Sequence, residues 1–359
     1  MPRSSVTGAR TIGWILGVLC FALLPVACGN AEGHGAEGPF TKHPTPVWGG
    51  QWVAGDPSVV RSSSSRLLLY YTGVILDLER GTDHQVVVGV AASKDGITWD
   101  FAKPVAGDNE ESVAYRGDPS GWDRIVETAF VLRDPEGPYR MYYTGYASGY
   151  DGAAPPLVAA GAIGYAESTD GLTFERSSPH RPVLEPAAPN DEDALFSPTV
   201  VRHESGYAMV YTGWCLTCVG DVQGFALLGA ISVDGVSWAK TNEVVLDTAA
   251  VPWGANAFEA ELVRRPDGGY YLFFTSDLLD DDARSAIGVA RSRHPFGPWE
   301  VFPEPVVVAT TDWEGTGPIA PTVLIEGGTI RLWYMAPLDD AFSAFSIGYA
   351  TAAYPLAWR

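Results

Sequence analysis

One seven-residue phrase is written three times in this chain: SKDGITW at Ser93–Trp99, STDGLTF at Ser168–Phe174 and SVDGVSW at Ser232–Trp238. Each copy follows a strand-like run rich in small residues: VVVGVAAS, AAGAIGYAES and FALLGAIS. Two further runs share that lead-in with altered endings, SAIGVARSRHPFGPWE and FSIGYATAAYPLAWR. Aligned on Ser93, Ser168, Ser232, Ser292 and Ala352, the five copies lie 75, 64, 60 and 60 residues apart. Each reaches a large aromatic soon afterwards: Trp99, Phe174, Trp238, Trp299 and Trp358. A second phrase precedes each copy (LLLYYTG, YRMYYTG, YAMVYTG, YYLFFTS, IRLWYMA), and a third precedes that one (DPSVV, ETAFV, SPTVV, EAELV, APTVL).

The repeating order is therefore strand, strand, strand, Asp-Gly turn, strand. Self-similarity at a near-fixed period marks a repeat architecture. Four short strands repeated radially make a β-propeller, whose ring closes without long exposed edges. The expectation is an all-β, five-bladed propeller over residues 47–359, with almost no helix. The Asp-Gly turn joins the third and fourth strands, glycine supplying the positive φ of a tight hairpin, and its aromatic fills the gap between blades. The fifth copy finds its own final aromatic at Trp358, so each blade can be contiguous; TPVWGGQW, ahead of the first blade, is the alternative source of a closing strand. Composition agrees: 40 Gly and 27 Pro suit turns, and 12 Trp and 16 Tyr suit strands.

Innermost strands line the axis of a propeller, so residues at their starts meet one another. Matching the third phrase brings together Asp56, Glu127, Ser197, Glu259 and Ala320. Three of the five are carboxylates. Crowded in a low-dielectric funnel, they repel one another and some are driven to stay protonated. Glycoside hydrolysis needs that split, one carboxyl as acid and another as base or nucleophile. A hydrated channel whose acids hold a cation or water is the bland reading. Glu261, two residues beyond Glu259 and on the same face by strand periodicity, is the rival acid. Trp48, Trp52, Trp122, Trp253 and Trp313 each precede an innermost strand. Sugar C–H faces stack on such rings, so Trp52, Trp122 and Trp253 are candidate pocket walls, with core packing as their ordinary alternative. His203 reads as structural, and Tyr146–Pro156 as a pocket-rimming loop.

These motifs resemble the five-bladed propeller glycosidases: family 43 arabinanases and β-xylosidases, and the related fructan enzymes of families 32 and 68. The resemblance runs from about Trp48 onward, on GDPSVV, the YYTG strands, the Ser-x-Asp-Gly hairpins and FEAELVRRPDGGYYLFF. It implies Asp56 as general base and Glu259 as general acid. The family's third-blade Asp is here Ser197, with Asp191, Glu192 and Asp193 just upstream, and Glu127 is an extra acid placed to take over the missing role. Its fifth-blade His, near an axial metal, is here Ala320, so no metal or other cofactor is expected. A non-catalytic glycan binder and a retaining fructan-type enzyme are the rival readings.

The N-terminus reads as an export signal over residues 1–27: Arg3 and Arg10, then the apolar run TIGWILGVLCFALLPVA, short for a membrane span. Cys28 after PVA resembles a bacterial lipoprotein cleavage site, with Pro25 where that motif has Leu, which implies a lipid anchor on an exported envelope protein; ordinary secretory cleavage nearby, giving a secreted protein, is the alternative. Residues 29–46 read as a flexible tether. Cys215 and Cys218 in CLTC read as a small disulfide in an oxidising compartment. The net charge of −20 becomes −22 once Arg3 and Arg10 leave with the signal. That excludes a phosphate-backbone partner and leaves a carbohydrate ligand, with a monomer as the expected state.

Overall fold

The computed structural model describes residues 38–49, 54–77, 82–103, 112–134, 137–147, 161–177, 179–187, 189–215, 224–280, 284–337 and 344–358. They form five antiparallel sheets of four or five strands, each a blade; in the first four the earliest strand is innermost. The innermost strands are Ala54–Ser63, Ile125–Arg133, Ala194–His203, Phe258–Arg264 and Ile319–Glu326. The only helices among the described residues are two 3-10 turns, Thr248–Ala250 and Asp312–Glu314.

The repeated heptapeptide works as a clasp. In each copy the serine hydroxyl accepts the glycine N–H (Gly96, Gly171, Gly235), and the aspartate accepts the next two N–H groups. Together these bonds hold Asp95, Asp170 and Asp234 below the usual carboxylate range; at Asp170 burial is the largest single effect and acts the other way, and the bonds jointly outweigh it. The freed glycine carbonyl faces the preceding blade and receives a hydrogen bond from its second strand: Trp333 Nε1 to Gly96 at 2.8 Å, Tyr70 Oη to Gly171 at 2.7 Å, and Tyr142 Oη to Gly235 at 2.8 Å. Ahead of the blades without Asp-Gly, the same second-strand position is Val210 or Phe273, which have no donor.

The closing aromatics sit where expected. Trp99 packs on Trp333, Phe174 on Tyr70, Trp238 on Tyr142 and Trp358 on Tyr271, each across a blade boundary. In four of the five blades the third strand also carries a glycine beneath a second-strand ring. A Cβ at Gly89, Gly164, Gly288 or Gly348 would come within 2.4, 2.3, 2.5 or 2.2 Å of Tyr71, Tyr143, Phe274 or Tyr334.

The ring closes with the N-terminus. Thr41–Lys42 and Trp48–Gly49 pair with Phe345–Ala353 as the outer strands of the fifth blade. Trp358 still fills its gap, but the fourth strand comes from the other end of the chain. This corrects the tether reading for its last stretch: Phe40 is 5% exposed, and Lys42 reaches the fully buried Glu314 at 2.6 Å. Cys215 is disulfide-bonded. Cys218, Cys28 and Trp52 lie outside the described residues.

Candidate active site

Every innermost strand carries a bulge near its start, and the bulged residue is left-handed in all five blades: Asp56 (φ 49°), Thr128 (46°), Ser197 (46°), Glu259 (41°) and Ala320 (49°). L-residues enter this region at a cost of about 1–3 kcal/mol each, so the neighbours must hold them there. The threonine of the second repeated phrase does so. Thr72, Thr144, Thr212 and Thr275 accept the N–H of Thr128, Ser197, Glu259 and Ala320, the bulged residues of the next blade, at 2.9–3.2 Å. In the fifth blade the position is Met335, packed against Gly55. Asp56 is fixed instead by its own Thr72, which donates to Oδ2 at 2.6 Å.

This register corrects one expectation. The equivalent of Asp56 in the second blade is Thr128, not Glu127. Glu127 stands one residue earlier and pairs with Thr144, as Gly55 pairs with Thr72 and Phe258 with Thr275. It is nonetheless close enough to Asp56 and Glu259 to influence both. Burial first, then the Asp56 charge, push Glu127 up to about 8, while Tyr146 Oη opposes this by donating to Oε1 at 2.5 Å.

An axial cavity of about 40 Å³, room for water, is lined from all five blades by the bulge segments, including Asp56, Ser197, Glu259, Glu261 and Ala320. No lysine, arginine or histidine lines it among the described residues. Burial pushes Asp56 up to about 6 against hydrogen bonds from Thr72 and the Thr128 backbone. Glu259, 2% exposed, is raised well above the usual range by burial and then by Asp56, Glu127 and Asp277. Both Glu259 carboxyl oxygens and Asp56 Oδ1 are buried without a hydrogen-bond partner. Buried polar atoms are nearly always paired, so these three mark a place built for something else.

Other buried acids show the contrast. Asp123 accepts from Tyr115, Tyr143, the Asp118 N–H and His180. Asp191 accepts from Tyr211, Lys240 and the Ala187 N–H. Glu314 accepts from Lys42, Tyr334 and Thr311. These braces anchor the segment ahead of an innermost strand to a second-strand tyrosine or its neighbour. Asp191 is thus fully engaged and does not substitute for the acid missing at Ser197, while Glu192 is exposed.

Glu261 also has a bracing role. Ser58, Thr199 and Thr322 occupy its place in three other blades, and their hydroxyls accept N–H groups of Val131, Leu262 and Val59 across the blade boundary at 3.0–3.2 Å. Glu261 takes that part in the fourth blade, accepting from Thr322 and the Val323 backbone, although burial holds it up at about 8. Glu261 nonetheless lines the same cavity as Glu259.

Trp122 stacks on Tyr143 (6.1 Å, 13°), Trp253 on Phe274 (6.0 Å, 10°) and Trp313 on Tyr334 (6.2 Å, 17°), and none of the three lines the cavity. His203 Nδ1 lies 3.0 Å from Tyr270 Oη, away from the cavity lining. Among the described residues no cluster of three or more His, Cys, Asp or Glu suits a metal ion. In all five blades the connection from second to third strand contains residues outside the description, as does the expected rim at 148–156.

No family model matches the chain. Among curated proteins it is 30% identical over 118 residues to xylosidase/arabinosidase 43A of Humicola insolens, covering 33% of each chain. It is 27% identical over 229 residues to an uncharacterized protein of Mycobacterium tuberculosis, covering 61% of this chain and 66% of that one. The chain therefore spans a third, and just under two thirds, of the length of these relatives. Three solved structures share the fold at 15% identity each. One is from the family 130 mannoside phosphorylases, which contain glycoside hydrolases that target β-1,2 mannosidic linkages in Candida mannan (TM-score 0.62; 91% of this chain, 99% of that). The others are a thermostable family 43 glycoside hydrolase (0.58; 87% and 91%) and the endo-arabinase of Bacteroides thetaiotaomicron (0.59; 86% and 96%). The fold is thus the five-bladed propeller found in these carbohydrate-active enzymes.

Proposed function

We propose that this chain is an exported glycoside hydrolase that cleaves arabinose- or xylose-type linkages by direct displacement with inversion. One observation carries the reading. Asp56 and Glu259, from non-adjacent blades, share one cavity, and three of their four carboxyl oxygens are buried with no protein partner. At neutral pH Asp56, with its midpoint near 6, is mostly ionised, while burial and then the neighbouring acids favour the protonated form of Glu259. Asp56 then takes a proton from a water whose oxygen bonds to the anomeric carbon. The bond to the leaving oxygen breaks as Glu259 supplies its proton. Water rather than phosphate is the acceptor in this reading, because the described lining offers acids and no cation to hold a phosphate. A glycan binder has no need of unpaired buried acids, which destabilise the fold, so catalysis is favoured over binding alone.

The sugar class rests on the partial likeness to xylosidase/arabinosidase 43A. Export rests on residues 1–27, and anchoring through Cys28 on the small residues before it; the domain acts as a monomer on a neutral glycan. A panel of aryl α-L-arabinofuranosides, β-D-xylosides and β-D-mannosides tests the activity, with the first product anomer read by NMR. Release from the first two with inverted product supports the reading, and no release from any substrate, with glycan binding retained, overturns it. Fatty-acid labelling that is lost in Cys28→Ser supports the anchor.

A further inference from the structure

We infer that Thr72 is a positioning residue that clamps one oxygen of Asp56 and leaves the other, Oδ1, to take the proton from water. The inference rests on the hydrolase reading of the site. A threonine stands at one matched place in the first four blades, opposite the residue just before the bulge: Thr72 opposite Gly55, Thr144 opposite Glu127, Thr212 opposite Phe196 and Thr275 opposite Phe258. Each hydroxyl accepts an N–H from the bulge of the next blade. A hydroxyl that accepts still has its hydrogen to give, and what that hydrogen meets differs between blades. Thr72 donates to the Asp56 side chain, at Oδ2, over 2.6 Å. Thr275 donates to the backbone carbonyl of Glu259, over 3.3 Å, and both Glu259 carboxyl oxygens are without a protein partner. One methylene separates the two cases: the shorter aspartate keeps its carboxyl within reach of its own threonine, and the longer glutamate does not.

A bond donated to a carboxylate favours its ionised form, which suits a base, and a buried carboxyl without such a bond suits an acid. One threonine position thus treats the two groups in opposite ways. The fifth blade carries Met335 at this place and brings no hydroxyl to the first bulge, so the clamp on Asp56 comes from Thr72. With Oδ2 committed, Oδ1 is the buried oxygen of Asp56 left without a partner. The titratable groups facing Asp56 are Glu127 and Tyr146 of the second blade and Glu259 of the fourth, with Glu261 on the same cavity. These groups and the Thr128 backbone, which also favours the ionised Asp56, are common to every Thr72 variant, so differences between variants report the hydroxyl.

The test follows the Asp56 carboxyl by NMR in protein carrying 13C-labelled aspartate, with its signal assigned by loss in Asp56→Asn. This readout needs no turnover, so it stands apart from the test of the hydrolase reading. Thr72→Val keeps the shape and removes the hydroxyl. It should raise the Asp56 midpoint by about one pH unit, the size of a lost hydrogen bond to a charged group. The acid limb of kcat/KM should move to higher pH by the same amount, and Thr72→Ser should restore both. Thr72→Cys, with a far weaker donor, carries the same prediction should Thr72→Val not fold. Thr144→Val removes the corresponding brace at the next seam and should leave the Asp56 midpoint in place, as a merely structural role for Thr72 would not predict. A midpoint unmoved by loss of the Thr72 hydroxyl, moved as far by Thr144→Val, or not restored by Thr72→Ser overturns the positioning role. A raised and restored midpoint with no glycoside turned over keeps the clamp and overturns only the hydrolase reading.

Discussion

At the scale of single residues, what separates the candidate catalytic acids from the rest is unmet hydrogen bonding. Asp123, Asp191 and Glu314 are as deeply buried as Glu259, yet each is surrounded by donors. A buried carboxyl held neutral at pH 7 costs stability relative to the unfolded chain, where it ionises near its ordinary value. Glu259→Gln should therefore stabilise the fold at pH 7 by about 1–2 kcal/mol, as removing strained functional groups often does; a differential melting scan checks it. The raised Asp56 gives the pH dependence. The base is protonated below about 6, so kcat/KM should rise as pH increases through that value and level off above it. Glu261→Thr should retain turnover, because it restores the hydroxyl that Ser58, Thr199 and Thr322 supply in other blades. Loss of turnover in that variant would make Glu261 the acid.

At the scale of elements, the three repeated phrases are three solutions to one problem, holding a blade to its neighbour. Ser-x-Asp-Gly offers a carbonyl to the preceding blade, Tyr-Thr-Gly offers a hydroxyl to the next bulge, and the closing aromatic fills the seam. Tyr142→Phe should cost about 1 kcal/mol, one buried hydrogen bond, and Trp238→Ala about 3–5 kcal/mol. Denaturant unfolding at constant m-value measures both, and an unchanged midpoint for Trp238→Ala would contradict the seam packing. The blades were legible in the sequence because each faces the same packing demands at the same positions. The bulge was not, since its five residues are Asp, Thr, Ser, Glu and Ala, which share a φ angle and no chemistry. Matching blades by their acids therefore put Glu127 where Thr128 belongs. The bracing roles of Thr72 and Glu261 were hidden for a related reason: their partners lie in the next blade, 56 and 62 residues along the chain.

At the scale of the whole molecule, a ring is as stable as its closure. The N-terminal strand seals the fifth blade, and the Lys42–Glu314 pair locks that strand in place with Glu314 fully buried. Lys42→Met should destabilise by about 3–5 kcal/mol by leaving a buried carboxylate unpaired. Burial raises Glu314, but bonds from Lys42, Thr310 and Tyr334 leave it below its ordinary value. The pair's stabilisation is thus present above pH 4.5 and should fade as pH falls through the depressed midpoint. Closure matters for function because it fixes five strand starts on one axis, and so brings the first and fourth blades' carboxyls into one cavity. The measurement that tests this assignment most directly compares Glu259→Gln and Asp56→Asn on glycosides with leaving groups of graded acidity. Loss of a general acid costs about 10²–10⁴ in rate, and less when the leaving group needs little protonation. The account predicts that Glu259→Gln loses far more on poor leaving groups than on activated aryl ones, while Asp56→Asn loses equally on both. Equal losses for Glu259→Gln across the series, or the leaving-group dependence appearing in Asp56→Asn instead, would contradict it.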